Sequence, residues 1–375
     1  MQAPFRLLQT LRGTVEPGLL LATGVATSTF VATPLILPAV AVRFEIGTGM
    51  AGLFSAAQLG LFVVGSWGAP RLVEPSRRVF VASLVMLAAA SGISIIAPAF
   101  SVFVASRALA GLALGVLTWL AYSQVFGDTE RTGDIAVIGP LTGVLAAPLI
   151  GLALRAGDDR TVFSVLAALA LVPLVSIPNF SVSGTASKGR NKAVPQALVL
   201  IVALALVTFG GAGVFVFLGA AAVEQYGMDP FVVSLVFSAN AAAGIPSARW
   251  RGARRYSGAW FVLPALFAAV LGFADQQPLY WVLVTTWGFC FWMAIPGIYN
   301  LLAERSRFPA DRAGDAQAAM AAGRAFAPLA GGIVVGTGGF EALGLAGAAV
   351  MLVGAAVMLA VERSDTGKFD HNGSL

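Results

Sequence analysis

Charge is nearly absent from long stretches of this chain, and that constrains its fold more than any motif. Apolar runs follow one another from Pro17 to Val361, each ended by charge, glycine or proline. A helix crossing a bilayer needs about 20 mostly apolar residues. Of the 375 residues, 58% are hydrophobic and 11% charged, against about 25% charged in an ordinary soluble domain. Such a chain cannot clothe a globular surface in polar groups. It is equally far from a disordered chain, which combines low hydrophobicity with high charge. An open sheet edge cannot sit in lipid, so the runs are read as helices.

Twelve runs are expected. The first six are Pro17–Val40, Thr48–Trp67, Val79–Ile96, Ser101–Tyr122, Asp134–Leu154 and Val162–Ile177. The other six are Pro195–Leu218, Pro230–Ser247, Trp260–Phe273, Pro278–Gly297, Asp315–Gly336 and Ala342–Val361. Between the sets lies the polar stretch Asn179–Lys192, which reads as a linker. The implied organisation is a six-helix bundle over 1–178, a cytoplasmic linker over 179–194, a second bundle over 195–362 and a tail over 363–375. The first run is too long for a signal-peptide core and is read as an uncleaved span.

The net charge of +5 invites a nucleic-acid reading, but its distribution points elsewhere. With twelve spans and the N-terminus inside, 18 of the 23 Lys and Arg residues fall on the inner side. They include Arg6, Arg12, Arg71, Arg77, Arg78, Arg131, Lys188, Arg190, Lys192, Arg249, Arg251, Arg254, Arg255, Arg305, Arg307, Arg312, Arg363 and Lys368. Three fall outside: Arg43, Arg155 and Arg160. That asymmetry is the positive-inside signal of a membrane protein with both termini cytoplasmic, and no nucleic-acid partner is expected. Arg107 and Arg324 alone fall within spans.

Other classes are excluded by what is missing. One cysteine, Cys290, allows neither an internal disulfide nor a cysteine zinc cluster. The single histidine, His371, lies in the tail, so no histidine relay runs through the membrane. There is no Walker loop and no cluster of nucleophile, base or metal ligands. An ATP-driven pump and a membrane enzyme are therefore disfavoured. No cofactor or metal is expected.

The two sets of six runs carry an internal repeat. Arg131-Thr-Gly-Asp134 precedes the fifth run and Arg312-Ala-Gly-Asp315 the eleventh. The fifth run holds Gly143-x-x-x-Ala147-Pro148-x-x-Gly151; the eleventh holds Gly323-x-x-x-Ala327-Pro328-x-x-Gly331, 180 residues later. Phe54-Ser-Ala in the second run matches Phe237-Ser-Ala in the eighth.

On these residues the chain resembles the major facilitator superfamily over nearly its whole length. Arg107-x-x-x-Gly111-x-x-x-Gly115 is similar to that superfamily's fourth-helix Arg/Gly motif. The Gly143 pattern resembles its fifth-helix antiporter motif, with Ala147 where the family has glycine. The loop after the second run departs from the family's pattern: Ala69, Val73, Glu74 and Ser76 stand at its motif positions, and only Arg77 and Arg78 agree. The resemblance implies an all-α membrane protein of two pseudo-symmetric six-helix bundles around a central cavity, working by alternating access. It also implies a flexible gate at the fifth-helix motif.

Candidate site residues follow from the cost of polarity in lipid. Charge at depth is a functional hypothesis by default. Arg324 lies near the middle of the eleventh span and Arg107 in the outer half of the fourth; a structural arginine bonded to carbonyls is the other reading of each. Gln317, Arg324 and Gly331 share a helix face by their spacing of seven. The acids sit at the ends of runs or in loops, Asp134 and Asp315 among them, and none lies deep within a run, so the cavity is expected to be electropositive and to favour anionic or polar neutral solutes. Gln58, Asn240, Thr29, Thr33 and Trp287 complete the expected lining, with helix-to-helix hydrogen bonding as the alternative for the polar ones. Gly111, Gly115, Gly143, Gly151, Gly323 and Gly331, with Pro148, Pro328, Arg77 and Arg78, are expected to pack or gate the helices.

The expectation is a multi-pass secondary transporter of the bacterial cytoplasmic membrane, acting as a monomer on a small organic solute. Its partners are lipid, the solute and protons. Efflux is the expected direction. Anion uptake, multidrug export of lipophilic compounds, and a non-transporting scaffold or sensor are the alternatives.

Overall fold

The computed structural model describes residues 15–125, 129–180, 193–248, 250, 256–306 and 309–364. Among them there is no strand. The helices are α1 (Pro17–Arg43), α2 (Thr48–Leu72), α3 (Arg77–Ile96), α4 (Phe100–Ser123), α5 (Thr129–Ala156) and α6 (Asp159–Leu171), the last running into a 3-10 turn, Val172–Ser176. Then come α7 (Pro195–Glu224), α8 (Pro230–Ala248), α9 (Ala259–Phe273), α10 (Gln277–Glu304) and α11 (Pro309–Arg363). Ten of the described helical stretches are long and apolar enough to cross a membrane, and α9 is a shorter apolar helix. The run α11 is broken at Gly339, whose φ of 70° and ψ of −168° suit glycine alone. Its two limbs, 309–338 and 340–363, stand where the sequence places the eleventh and twelfth runs.

Local chemistry explains the ends. Ser76 caps α3 by accepting from the Val79 amide at 3.3 Å, and Asp158 caps α6 by accepting from Arg160 and Thr161 amides at 3.0 and 3.3 Å. Within the apolar helices, hydroxyls turn back on their own backbone: Thr29 donates to Val25 O at 3.0 Å and Thr33 to Thr29 O at 3.2 Å. α6 begins three residues earlier than the sixth run, which carries Asp159 into the buried part of the fold.

The helices pack as two compact units. Unit 1 holds the described residues of 15–44, 57–180 and 230–238; unit 2 holds those of 45–56, 193–229 and 239–364. In unit 1, α4 runs tightly along α2. A Cβ on Gly111 would stand 1.9 Å from Gln58 O, and one on Gly115 would stand 2.3 Å from Phe62 O. In unit 2 the corresponding pair is α8 and α10: a Cβ on Gly288 would stand 2.2 Å from Asn240 O. Gly288 follows Gly111 by 177 residues and Asn240 follows Gln58 by 182, so the repeat holds at the level of helix contacts. In unit 2 α7 lies between both limbs of α11, with Gly323 and Gly331 against its 205–217 stretch and Gly347 and Gly354 against 203–214.

The cations that the sequence assigns to the inner side take several positions. Arg71, Arg77 and Arg78 are exposed; Arg71 lies 3.8 Å over the Trp67 ring, and Arg77 donates to Asn179 Oδ1. Arg305 departs from a loop position. It is fully buried at the end of α10 and donates to Ser364 O at 2.5 Å and Glu362 O at 3.4 Å, closing the last turn of α11. The side chains of Arg6, Arg12, Arg131, Lys188, Arg190, Lys192, Arg249, Arg251, Arg254, Arg255, Arg307 and Lys368 lie outside the described residues, as do those of Asp134 and His371 and most of the linker.

Candidate functional site

Arg324 stands at the middle of the first limb of α11, half-buried. Its guanidinium carbon lies 5.8 Å from the centroid of the Phe291 ring on α10, within cation–π range. Tyr299, two turns further along α10, is the titratable side chain within electrostatic reach. Among the described residues no carboxylate pairs with Arg324. Phe291 stands edge-on to Phe261 at 6.4 Å and to Trp292 at 6.1 Å. Trp292 in turn fills the space at Gly244, where a Cβ would come within 2.5 Å of it. An aromatic wall therefore holds one side of the cation, and no carboxylate of the described residues opposes its charge.

The other candidates of unit 2 sit beside this wall. Asn240 donates from Nδ2 to Val284 O at 2.6 Å, tying α8 to α10. Trp287 is 4% exposed and packs on Phe215 of α7 at 6.4 Å. Gln317 is exposed. Gly323 meets Thr208 and Ala205 of α7, and Gly331 meets Gly213 and Phe217. So the shared face of Gln317, Arg324 and Gly331 runs from an exposed amide to a packed glycine. Pro328 is buried, and its carbonyl borders Gly52.

In unit 1 the polar candidates are drawn inward. Thr29, Thr33 and Gln58 are all buried, and Gln58 Nε2 lies 3.5 Å from Thr33 Oγ1, joining α2 to α1. Arg107 has no exposed surface. It donates from Nη1 to Ser94 Oγ at 3.3 Å and lies 4.9 Å over the Phe163 ring. Its Nε and Nη2 find no partner.

No protein-family model matches the sequence, and no curated protein matches it. Solved structures do match. A bacterial homologue of the human lysosomal transporter Spinster, inward-facing and unoccupied, aligns with a TM-score of 0.68 at 13% identity, over 96% of this chain and 98% of that one. The human organic anion transporter MFSD10 (TETRAN) aligns with 0.66 at 15% identity, over 95% and 100%. The nucleoside transporter NupG aligns with 0.71 at 13% identity, over 92% and 98%. The chain has the major facilitator fold.

Within that fold the fifth-helix pattern is a packing surface. Gly143 is buried, and Ser238 of α8 donates to the neighbouring Val144 O at 2.7 Å. A Cβ on Gly151 would stand 2.1 Å from Ser234 Oγ. Pro148 is half-buried. In the repeat of this pattern Arg312 and Asp315 form an ion pair at 2.8 Å, one turn apart.

Three polar residues escaped the sequence reading. Arg43 and Asp159 form an ion pair at 2.8 Å with side chains 8% and 1% exposed. Gln225 donates to three carbonyls at the end of α9. Arg43 and Asp159 lie 116 residues apart, and neither sits in a motif. The signal available was the acid-rich stretch just before the sixth run, Asp158-Asp159-Arg160, where one carboxylate caps the helix and leaves the other free to turn inward.

Proposed function

We propose that this chain is a secondary active transporter that moves a small organic anion by alternating access, with Arg324 as the recognition cation. The observation that carries this is Arg324 itself: a guanidinium at mid-limb, partly accessible, seated on an aromatic wall and opposed by no carboxylate among the described residues. Holding an unpaired charge at membrane depth costs several kcal/mol, and an anionic ligand offsets that cost. Phe291 and Trp292 add flat apolar surface for a planar ligand. One structural neighbour is named as an organic anion transporter, and a cargo of that sign suits Arg324. Lipophilic cations do not.

The rest of the reading belongs to the same proposal. The chain makes twelve spans, counting α9 and the two limbs of α11, with both termini cytoplasmic and the linker at 179–194 on the same side. It sits as a monomer in a bacterial cytoplasmic membrane. Transport is proton-coupled export, the direction suggested by the fifth-helix motif. Asn240 and Trp287 support the aromatic wall of unit 2 against which the anion rests, and Thr29, Thr33 and Gln58 form a polar seam within unit 1.

Ligand-induced thermal stabilisation tests the reading. Benzoate, other organic anions, nucleosides and lipophilic cations are offered to the purified protein, with Arg324→Ala alongside. Stabilisation by anions, lost in the variant while its unliganded midpoint is kept, is the expected result. Stabilisation by cations regardless of Arg324 would replace the anion reading with a drug exporter.

A further inference from the structure

The buried ion pair of unit 1 has a counterpart in unit 2 that lacks the charges. Arg43, at the end of α1, donates from Nη1 to Ser94 O at 2.9 Å and from Nη2 to Ile95 O and Ala97 O at 3.0 Å each. It thereby closes the C-terminal turn of α3. Gln225, just past the end of α7 and 182 residues after Arg43, donates to Leu271, Gly272 and Ala274 carbonyls at 3.4, 3.0 and 2.7 Å. Each of those carbonyls lies 177 residues after its partner in α3. The capping task is thus done in unit 2 by a neutral amide. Among the described residues no buried acid accompanies Gln225: Glu224 beside it, Asp275 next to Ala274, and Glu341 at the start of the second limb are all exposed.

The same capping geometry is thus reached in unit 2 without an ion pair. A buried ion pair is itself weak evidence for stability, because desolvating two charges offsets their attraction. Asp159 is also the one carboxylate in the buried class among the described residues. Only Oδ2 is engaged, by Arg43; Oδ1 has no partner. Burial favours the neutral acid and Arg43 favours the carboxylate, so the two forms are held in opposition.

We infer that Asp159 is the coupling-proton site of the transporter. Arg43 can only donate, so Oδ2 stays an acceptor and the incoming proton forms an O–H bond at Oδ1. The pair then passes from neutral to singly positive. Arg43 keeps its three carbonyls throughout, so the end of α3 stays closed while the tie from α1 to α6 weakens. Asp159 itself is sealed, but it lies between Asp158 and Arg160, whose side chains are each 55% exposed, so the proton would arrive from that end of α6. The charged groups acting on Asp159 are Arg43 from α1, the neighbouring N-cap Asp158 and Arg160 of its own helix, with Arg107 of α4 behind Ser94.

This inference rests on the transporter reading, but its test uses the proton alone as probe. Infrared difference spectra of the purified full-length protein are recorded through a pH titration, with a pH dye counting protons. Wild type is expected to show a carboxylic-acid carbonyl band that Asp159→Asn lacks, and one proton per chain fewer is taken up by the variant. An unchanged band and proton count in Asp159→Asn would overturn the assignment. The double variant Arg43→Gln with Asp159→Asn copies the Gln225 arrangement and is expected to fold with a thermal midpoint near that of wild type. If neither variant folds, the pair is a structural clamp and the inference is wrong. Failure of anions to bind at Arg324 would leave both readouts interpretable.

Discussion

A tight helix contact of unit 2 yields a prediction with a magnitude. A Cβ on Gly288 would stand 2.2 Å from Asn240 O and 2.9 Å from Asn240 C and Cγ. Carbon-sized neighbours settle at about 3.5 Å, so Gly288→Ala must push α10 off α8 by more than about 1 Å. Overpacking of this kind costs about 1–3 kcal/mol. The gain in helix propensity returns about 1 kcal/mol. The same movement stretches the Asn240 Nδ2 to Val284 O hydrogen bond, now 2.6 Å, at about 1 kcal/mol. The net expectation is a loss of about 2 kcal/mol, or about 4–8 °C in midpoint for a unit of this size. Cys290 is the only cysteine of the chain and is buried two residues away, so its reaction with a fluorogenic maleimide during heating reports the unfolding of this unit. Gly336→Ala is the control: nothing lies within 4 Å of its Cβ, and its midpoint should hold or rise slightly. If Gly288→Ala unfolds no earlier than Gly336→Ala, the glycine is not what lets these helices meet.

Further outcomes follow from other contacts. Gly111→Ala should lower the midpoint in the same direction, since its Cβ would stand 1.9 Å from Gln58 O; tryptophan fluorescence on heating checks it. Gly339→Ala should cost about 1–3 kcal/mol, because φ of 70° with ψ of −168° is essentially closed to residues with a Cβ; circular dichroism melting reads the loss. Gln225→Ala uncaps three carbonyls at the end of α9 and should cost about 1–3 kcal/mol. Hydrogen exchange should then show faster opening at Leu271 to Ala274 than elsewhere in unit 2.

Helix existence was legible because it depends on composition summed over long windows. Every apolar run became a helix, and the short ninth run stayed short, as α9. Gly111, Gly115, Gly323 and Gly331 stand at close helix contacts, and small residues at a fixed spacing are the sequence signal for such contacts. The chemistry of Asp159 was not legible. Its burial depends on α6 starting at residue 159 rather than 162, and on Arg43 arriving from a helix more than a hundred residues earlier. Nor did the sequence separate Arg107 from Arg324. Both sit in apolar runs, and only the packing shows that one is sealed under Phe163 while the other keeps accessible surface.

The repeat sharpens that separation. Contacts that build the bundles recur in both halves: Gln58 with Asn240, Gly111 with Gly288, Arg43 with Gln225. The two intraspan arginines do not recur. Arg107 has Val284 at its repeat position, 177 residues on, and Arg324 has Val144, 180 residues back. A fold that places valine at both positions has no packing need for either charge, so Arg324→Val should fold. Removing an unpaired buried charge is neutral or stabilising, and the unliganded midpoint should not fall. Anion-induced stabilisation should vanish. Arg107→Met, which keeps the bulk over Phe163, should retain that stabilisation, because a solute has no surface of Arg107 to touch. If both variants lose the anion response equally, recognition is not confined to Arg324.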